Sequence, residues 1–301
     1  MKRVFFRMAL LAIVIAQTSG LAVLADDNVE APVLRVMSWN ILHGGRDDGE
    51  TVGPERVVDV IRESQADLVA MQETYGSGEI ICRALGYHFH PRGTNVSIHS
   101  RFPIVEDISV HEEFKCVGAL IEHPSGQRVA FYSIWLPYGE DIWLPNVRAT
   151  TSEAKMQEAC APSAKDLTSM RDAITKRLAD PKYADASIII AGDFNSMSHL
   201  DYTEKAIRQY ARVIDWKTSH VLTDAGFQDT YRERNPAVDR AKDSTWSPRF
   251  PDQEQDRIDF IYLKSSFWKA SESKIITQHP VKFPSDHAAL LTVFQKKAVT
   301  R

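Results

Sequence analysis

Cysteine is scarce in this 301-residue chain: only Cys82, Cys116 and Cys160 occur, an odd number with no zinc-ligand spacing. That excludes a disulfide-built scaffold and a structural zinc module, and the three cysteines are given no chemical role. In an oxidising compartment one pair could bridge and leave a third thiol. Positive charge is not in excess either, with 36 Lys and Arg against 40 Asp and Glu, a formal net charge of −4. The strongly basic footprint of a nucleic-acid surface is therefore missing, although a local basic groove is not excluded. No internal repeat and no Gly/Ser linker divides the chain. Past the N-terminus, no apolar run approaches the roughly 20 residues a membrane-spanning helix needs. What remains is 44% apolar and 25% charged, the composition of an ordinary globular protein with a sizeable core.

The N-terminus reads differently. Lys2, Arg3 and Arg7 precede an unbroken apolar stretch from Met8 to Ala16, and Val23-Leu24-Ala25 offers modest side chains to a signal peptidase. Residues 1–25 are expected to be an export signal cut before Asp26, leaving a single domain, 26–301, in the periplasm or outside the cell. Gln17-Thr18-Ser19-Gly20 interrupts the run, which argues against an uncleaved anchor. Losing three basic residues and no acid takes the formal charge from −4 to −7. A monomer is expected.

Short apolar runs recur along the rest: Leu34 to Met37, Leu68 to Met71, Val129 to Ile134, Ser187 to Ala191, Ile258 to Leu263 and Ala288 to Phe294. Rich in Val, Ile, Leu or Phe, they read as buried strands. Helical patterns lie between some of them. One opens at Pro54, a favoured first-turn residue, and another runs from Ser163 to Ala179 with Leu167, Met170, Ile174 and Leu178 three or four apart. This alternation gives an α/β class. Pro137 to Pro162 has no clear period and reads as a long surface excursion.

Polar residues concentrate where these strands end. Asn40 follows the first run and Glu73 the second. Asp193 and Asn195 follow Ile188-Ile189-Ile190-Ala191-Gly192, Asp259 interrupts an apolar strand, and Asp286-His287 directly precedes the last one. Such side chains converge on one rim of a sheet, where ligand sites form. Hard oxygen ligands without thiolates suit Mg²⁺, with Mn²⁺ or Ca²⁺ as alternatives, and a cation would relieve the repulsion of clustered carboxylates. Taken singly, Asp193 and Asn195 are equally a turn and a helix cap, and Asn40 a turn residue. Asp259 inside an apolar strand needs a partner, and His287 is the candidate.

In order along the chain stand Ser38-Trp39-Asn40-Ile41, Asp67-Leu68-Val69-Ala70-Met71-Gln72-Glu73, Ser100-Arg101-Phe102-Pro103-Ile104, Gly192-Asp193-Phe194-Asn195, Asp224-Ala225-Gly226-Phe227-Gln228-Asp229-Thr230, Arg257-Ile258-Asp259-Phe260-Ile261 and Ser285-Asp286-His287. Each string alone is weak; seven in order make the chain resemble the endonuclease/exonuclease/phosphatase superfamily, which includes deoxyribonuclease I, exonuclease III and the neutral sphingomyelinases. The resemblance implies a four-layer α/β sandwich of two packed mixed sheets flanked by helices. It implies metal ligation by Glu73, Asn40 and Asp286, and catalysis by Asp193, Asn195, His287 and Asp259: Asp193 aligning the attacking water, His287 contacting phosphate, Asp259 holding its ring. Many relatives carry a second His where this chain has Trp135, and indole is neither a base nor a cation. Trp135, Arg101 and His43 are expected to bind substrate, with salt bridges shaping the rim as the alternative role for Arg101 and Arg257. Tyr138 and Trp143 could form an aromatic lid. Asn95-Val96-Ser97 is a glycosylation sequon.

The expected activity is metal-dependent hydrolysis of a phosphodiester by activated water. The phosphoester partner is a nucleic acid, a lipid headgroup or a small diester, and the net charge does not point to nucleic acid. The competing readings are a phosphomonoesterase and a non-catalytic module that binds phosphate and metal on the same fold.

Overall fold

A computed structural model describes residues 31–298. The expected export signal lies outside the described residues.

Twelve strands occur in chain order: β1 (Val33–Asn40), β2 (Leu68–Gln72), β3 (His88–Arg92), β4 (Val96–Ser100), β5 (Ile104–Asp107), β6 (Cys116–Glu122), β7 (Arg128–Trp135), β8 (Ser187–Asp193), β9 (Gln228–Asp229), β10 (Asp259–Lys264), β11 (Trp268–Ile276) and β12 (Ala289–Lys296). They form two six-stranded sheets, ordered β11-β12-β1-β2-β4-β3 and β5-β6-β7-β8-β10-β9. Both are mixed, because β1 runs parallel to β2 and β7 parallel to β8 while the other pairings are antiparallel. The helices are α1 (Val52–Ser64), α2 (Gly78–Leu85), α3 (Pro145–Thr150), α4 (Glu153–Ala159), α5 (Ala161–Arg177), α6 (Ile207–Tyr210), α7 (Lys217–Thr223), α8 (Thr230–Arg234) and α9 (Arg240–Asp243).

Strand alternation sorts the side chains into layers. Leu34, Val36, Leu68 and Ala70 of the first sheet meet Val129, Phe131, Ile189, Ala191 and Ile261 of the second in one central core. On the outer face of the first sheet, Met37, Trp39, Val69 and Met71 pack against Val57, Val60 and Ile61 of α1 and Ile81 of α2. On the outer face of the second, Tyr132, Ile134 and Ile190 pack against Leu167, Met170 and Ile174 of α5. The result is the expected four-layer sandwich. The excursion 137–162 is more ordered than its sequence suggests, since it carries α3 and α4. There Ile142, Trp143 and Met156 join Tyr202, Trp216 and Ile258 in a separate apolar cluster.

The same alternation positions the functional end. Counting inward-facing residues along each strand leads from Leu34 and Val36 to Ser38 and Asn40, from Leu68 and Ala70 to Gln72, from Ile189 and Ala191 to Asp193, and from Leu263 and Ile261 to Asp259. The core between the sheets therefore turns polar at one end, where Gln72 Nε2 donates across it to Ser133 Oγ at 3.0 Å. Within the second sheet, β7 and β8 leave no room for an added side-chain atom at Gly192. A Cβ on Gly192 would lie 2.0 Å from the carbonyl oxygen of Ile134 on the neighbouring strand.

All three cysteines are free and buried, so no pair bridges. Burial pushes the Cys82 and Cys116 thiols up to about 12, which removes them from thiolate chemistry.

His99 on β4 is fully buried, with Nε2 3.0 Å from Ser97 Oγ and its ring beside Phe89. Burial depresses its pKa from 6.5 to about 3. The unfolded chain takes up a proton below pH 6.5 that the native state refuses, so this site withdraws stability as pH falls from there toward 3. The expected slope is about 1.4 kcal/mol per pH unit. Comparing denaturant unfolding of wild type and His99→Gln across that range should show the difference; parallel curves would contradict it. Gly192→Ala should cost roughly 1–3 kcal/mol by overpacking, read as a lower denaturation midpoint at unchanged m-value.

Candidate active site

β8 and β10 place Asp193 and Asp259 directly opposite each other in antiparallel register. Two acids so paired, each at most 1% exposed, would repel strongly. His287 separates them: its Nδ1 lies 3.0 Å from Asp259 Oδ2 and its Nε2 4.0 Å from Asp193 Oδ2. Burial alone would push the imidazole down, but Asp259 and then Asp193 override it and raise it to about 10. The ring is therefore an imidazolium, its Nδ1–H given to Asp259. Burial, with Asp259 adding to it against the opposing pull of His287, holds the Asp193 carboxyl up near 7.

The segment carrying His287 is pinned from both sheets. Ser285 Oγ donates to the Asn40 carbonyl at 2.7 Å and accepts from His287 N at 3.0 Å. Trp39 Nε1 donates to the His287 carbonyl at 2.9 Å. Thr245 ties the segment to the second sheet: its carbonyl accepts from Ala288 N at 2.8 Å, and its Oγ1 accepts from the backbone N–H groups of Ile258 and Asp259 at the start of β10.

Asn40 links this triad to the other carboxylates. Its Oδ1 accepts from Leu42 N at 3.0 Å, which fixes the amide orientation, so Nδ2 donates to both Glu73 Oε1 at 3.0 Å and Asp193 Oδ2 at 3.1 Å. Asn195 holds Asp193 from the other side, through its backbone N at 2.9 Å and its Nδ2 at 3.1 Å. The remaining Asn195 amide hydrogen goes to the Leu136 carbonyl.

Glu73 has a positive φ of 56°, uncommon outside glycine. Asn95 supports this turn by accepting the Glu73 N–H at 2.9 Å, and Gly44 N donates to the Glu73 carbonyl. Asp286 is 7% exposed, and its Oδ1 has no hydrogen-bond partner. Burial first, and Glu73 nearby, raise the Asp286 pKa. A buried, unpartnered carboxylate oxygen in the field of a second carboxylate fits a hard divalent cation; the Asn40 oxygen, expected among the metal ligands, is instead turned to Leu42 N, and its amide nitrogen faces Glu73. Among the described residues, Asp193, Asp259 and His287 also present ligand atoms within 4.8 Å of one another. There the imidazolium already supplies the positive charge, and its bond to Asp259 occupies Nδ1.

A cleft of about 320 Å³ opens onto these groups. It brings together Asn195, Asp193, His287, Glu73, Asp286, Trp135 and His43. The His43 backbone N donates to Glu73 Oε2 at 3.2 Å, while its ring is turned to solvent and Asp47. Arg101 is not part of this site. It lies at the other end of β2, where it pairs with Asp67 at 3.4 Å and donates to the Tyr87 hydroxyl. The Arg-Phe-Pro string follows β4 out of the sheet at the end remote from Glu73, so its arginine closes that edge. Arg257 is likewise structural, fully buried between Asp201 and Asp229.

Trp143 is 4% exposed, so it is a wall of the cleft and not an open lid. Asn95 is fully buried and donates to the Phe114 carbonyl, so its sequon is inaccessible in the folded chain. Sequence reasoning missed Trp246, whose ring lies 5.0 Å from that of His287. Its isolated position in a turn-rich stretch carries no period to mark it. It also missed Asn95 as a support of Glu73, although an Asn opening a short apolar strand was a visible cue.

A family model described as the Endonuclease/Exonuclease/phosphatase family matches residues 37–287. An uncharacterized protein of Caenorhabditis elegans, F14F9.5, is 26% identical over 292 residues, covering 85% of this chain and 90% of that one. The structure is similar to the mannosyl-6-phosphatase Bt3783 of Bacteroides thetaiotaomicron VPI-5482, with a TM-score of 0.61, 15% identity and coverage of 87% of this chain and 99% of that one. It is also similar to humanized TDP2 of D. rerio, with a TM-score of 0.60, 16% identity and coverage of 87% and 99%. At these identities the structural likeness speaks for the fold. The family match spans β1 to His287 and so takes in every residue of the cleft's polar floor: the chain belongs to the Endonuclease/Exonuclease/phosphatase family, hydrolases acting on phosphoester bonds.

Proposed function

We propose that this chain hydrolyses a phosphodiester by attack of a water molecule on phosphorus, with a divalent cation, Mg²⁺ foremost, as cofactor. The observation that carries the reading is the placement of Asp193. Its carboxylate is fixed by amide donors of Asn40 and Asn195 and lies 4.0 Å from the Nε2 of an imidazolium, at the floor of an open cleft. A phosphoryl group at this floor meets an acceptor for the proton of the attacking water at Asp193. It also meets a cationic N–H donor at His287 for its oxygens.

Asp259 keeps the His287 ring oriented and charged, so the donor is in place before substrate arrives. Asn40 ties Asp193 to Glu73 and sets the spacing between the base and the remaining carboxylates. Glu73 and Asp286 would hold the cation. When bound, it supplies Lewis-acid polarisation of the phosphoryl oxygens. Asn195 spends both amide hydrogens within the protein, and acts here by holding Asp193.

The mannosyl-6-phosphatase neighbour supports a second reading, a phosphomonoesterase using the same floor. The basic and apolar pattern of residues 2–25 supports export to the periplasm or beyond, and the proposed acting form is a monomer. Among the described residues no helix is long and apolar enough to cross a membrane.

Residues 26–301 should release nitrophenol from bis-(p-nitrophenyl) phosphate with Mg²⁺ or Mn²⁺ and stop with EDTA. Release from p-nitrophenyl phosphate alone would favour the monoesterase. Asp193→Asn and His287→Gln should each lower kcat at least about a hundredfold while circular dichroism stays native; a variant retaining near-full activity refutes that residue's role. Mg²⁺ should raise the melting temperature of wild type, and Glu73→Ala or Asp286→Asn should abolish that shift. Equal shifts in all three proteins would move the cation elsewhere.

A further inference from the structure

The walls of the cleft differ in kind from its floor. Tyr138 and Trp143 on the excursion after β7 meet edge to face at 5.9 Å between ring centroids, and Trp143 meets Trp246 at 6.4 Å. Trp246 continues to Phe250 at 5.7 Å and to the His287 imidazole at 5.0 Å. A continuous run of aromatic rings therefore begins at the rim and ends on His287. The two rim members stay substantially in water, Tyr138 at 48% and Phe250 at 37% exposed, although both are large rings beside an apolar cluster.

Charge in the cleft is as one-sided as the rings are abundant. Among the described residues, none that line it is Lys or Arg, and Asp141 stands among the wall residues. Arg249, whose charge reaches Asp286, is engaged by Asp47 at 2.8 Å and by the Pro284 carbonyl. A chain of phosphates needs Arg or Lys along its path, because backbone contacts supply most of its affinity. This cleft offers the polar floor around His287 to one phosphoryl group and aromatic surface beyond it. Aromatic faces reward stacking by an uncharged ring, whether a planar base or the apolar face of a sugar.

Resting on the phosphoester reading above, we infer that the cleft selects esters carrying a single phosphoryl group and an uncharged ring, with the ring stacked on the wall of Tyr138, Trp143, Trp246 and Phe250. A second phosphate finds no built partner. The wall residues set this preference without entering the bond-breaking step.

Equilibrium binding by calorimetry tests this without relying on turnover. The mature chain with Mg²⁺ is titrated with methyl phosphate, phosphocholine, thymidine 5′-monophosphate, glucose 6-phosphate and thymidine 3′,5′-bisphosphate. The expected result is that at least one of the two ring monophosphates binds tenfold or more tighter than methyl phosphate and phosphocholine. Which of them does so tells a planar base from a sugar face. The bisphosphate should bind no tighter than thymidine 5′-monophosphate, and Tyr138→Ala and Phe250→Ala should each bring the ring advantage down at least threefold. Both side chains are partly in water, so their truncation leaves the core intact. Tightest binding by the bisphosphate or by phosphocholine, no advantage for either ring, or an advantage untouched in both variants would overturn the inference. Ring-selective binding in a protein that hydrolyses no phosphoester would leave this recognition standing and remove the proposed hydrolysis.

Discussion

The pair Asp193 and Asp259, forced face to face by the β8–β10 register, is the constraint around which this end of the molecule is organised. Two buried carboxylates on neighbouring strands stay ionised together only with a cation between them, and the His287 imidazolium is that cation. The ring has to be delivered from a third direction, by the segment before β12, because neither strand can place a side chain between its own residue and the one opposite. The hydrogen bonds from Trp39, Ser285 and Thr245 then make sense together. They fix that segment to both sheets, and so turn an electrostatic necessity into a defined geometry.

A second layer of charge holds the first in place. Arg257, two residues before Asp259, is buried between Asp201 and Asp229, with its guanidinium 4.5 Å from the Phe260 ring centroid. Arg232 joins the same Asp201 to Asp243. Breaking such a buried network by removing one member costs about 3–5 kcal/mol. The network therefore anchors the entry of β10, and with it the position of Asp259, against movement that would open the triad. On the opposite sheet Asn40 does the comparable work with one amide, joining Glu73 to Asp193 across the gap between the sheets.

Much of this was legible in the sequence because buried strands announce themselves and polar residues at their ends stand out. The six apolar runs correspond to β1, β2, β7, β8, β10 and β12, six of the eight interior strands of the two sheets; the others are β4 and β6. The strands without an expected counterpart are chiefly peripheral or amphipathic. His88–Arg92 and Ile104–Asp107 are edge strands carrying charged or ring-bearing residues, and Trp268–Ile276 buries only one face, so none forms an apolar run. β4 hid differently: Val96–Ser100 is buried throughout, but serine and histidine occupy three of its five positions. Among site residues, Asn40, Glu73, Asp193, Asn195, Asp286 and His287 meet at one cleft because inward parity and strand ends can both be counted from sequence. Arg101 was misplaced because a motif string gives order along the chain without giving the end of the sheet. Trp246 and Phe250 were invisible because the loop before β10 reaches the cleft only through tertiary packing.

Trp135 brings the floor and the walls into one account. It pairs in register with Asp193, so whatever occupies that position borders that carboxylate directly. An imidazole there would add a second cation to the floor of the cleft. Indole adds none, and it packs edge-on against Phe114 at 5.7 Å. His287 is thus left as the cationic side chain among the described residues lining the cleft, and the surface gained is aromatic. A site with one fixed positive group and a large apolar wall distinguishes its ligands by what surrounds the phosphate more than by how many phosphates there are. The indole of Trp135 and, among the described residues, the absence of Arg and Lys from the cleft push selectivity in the same direction, although they arise on separate segments of the chain.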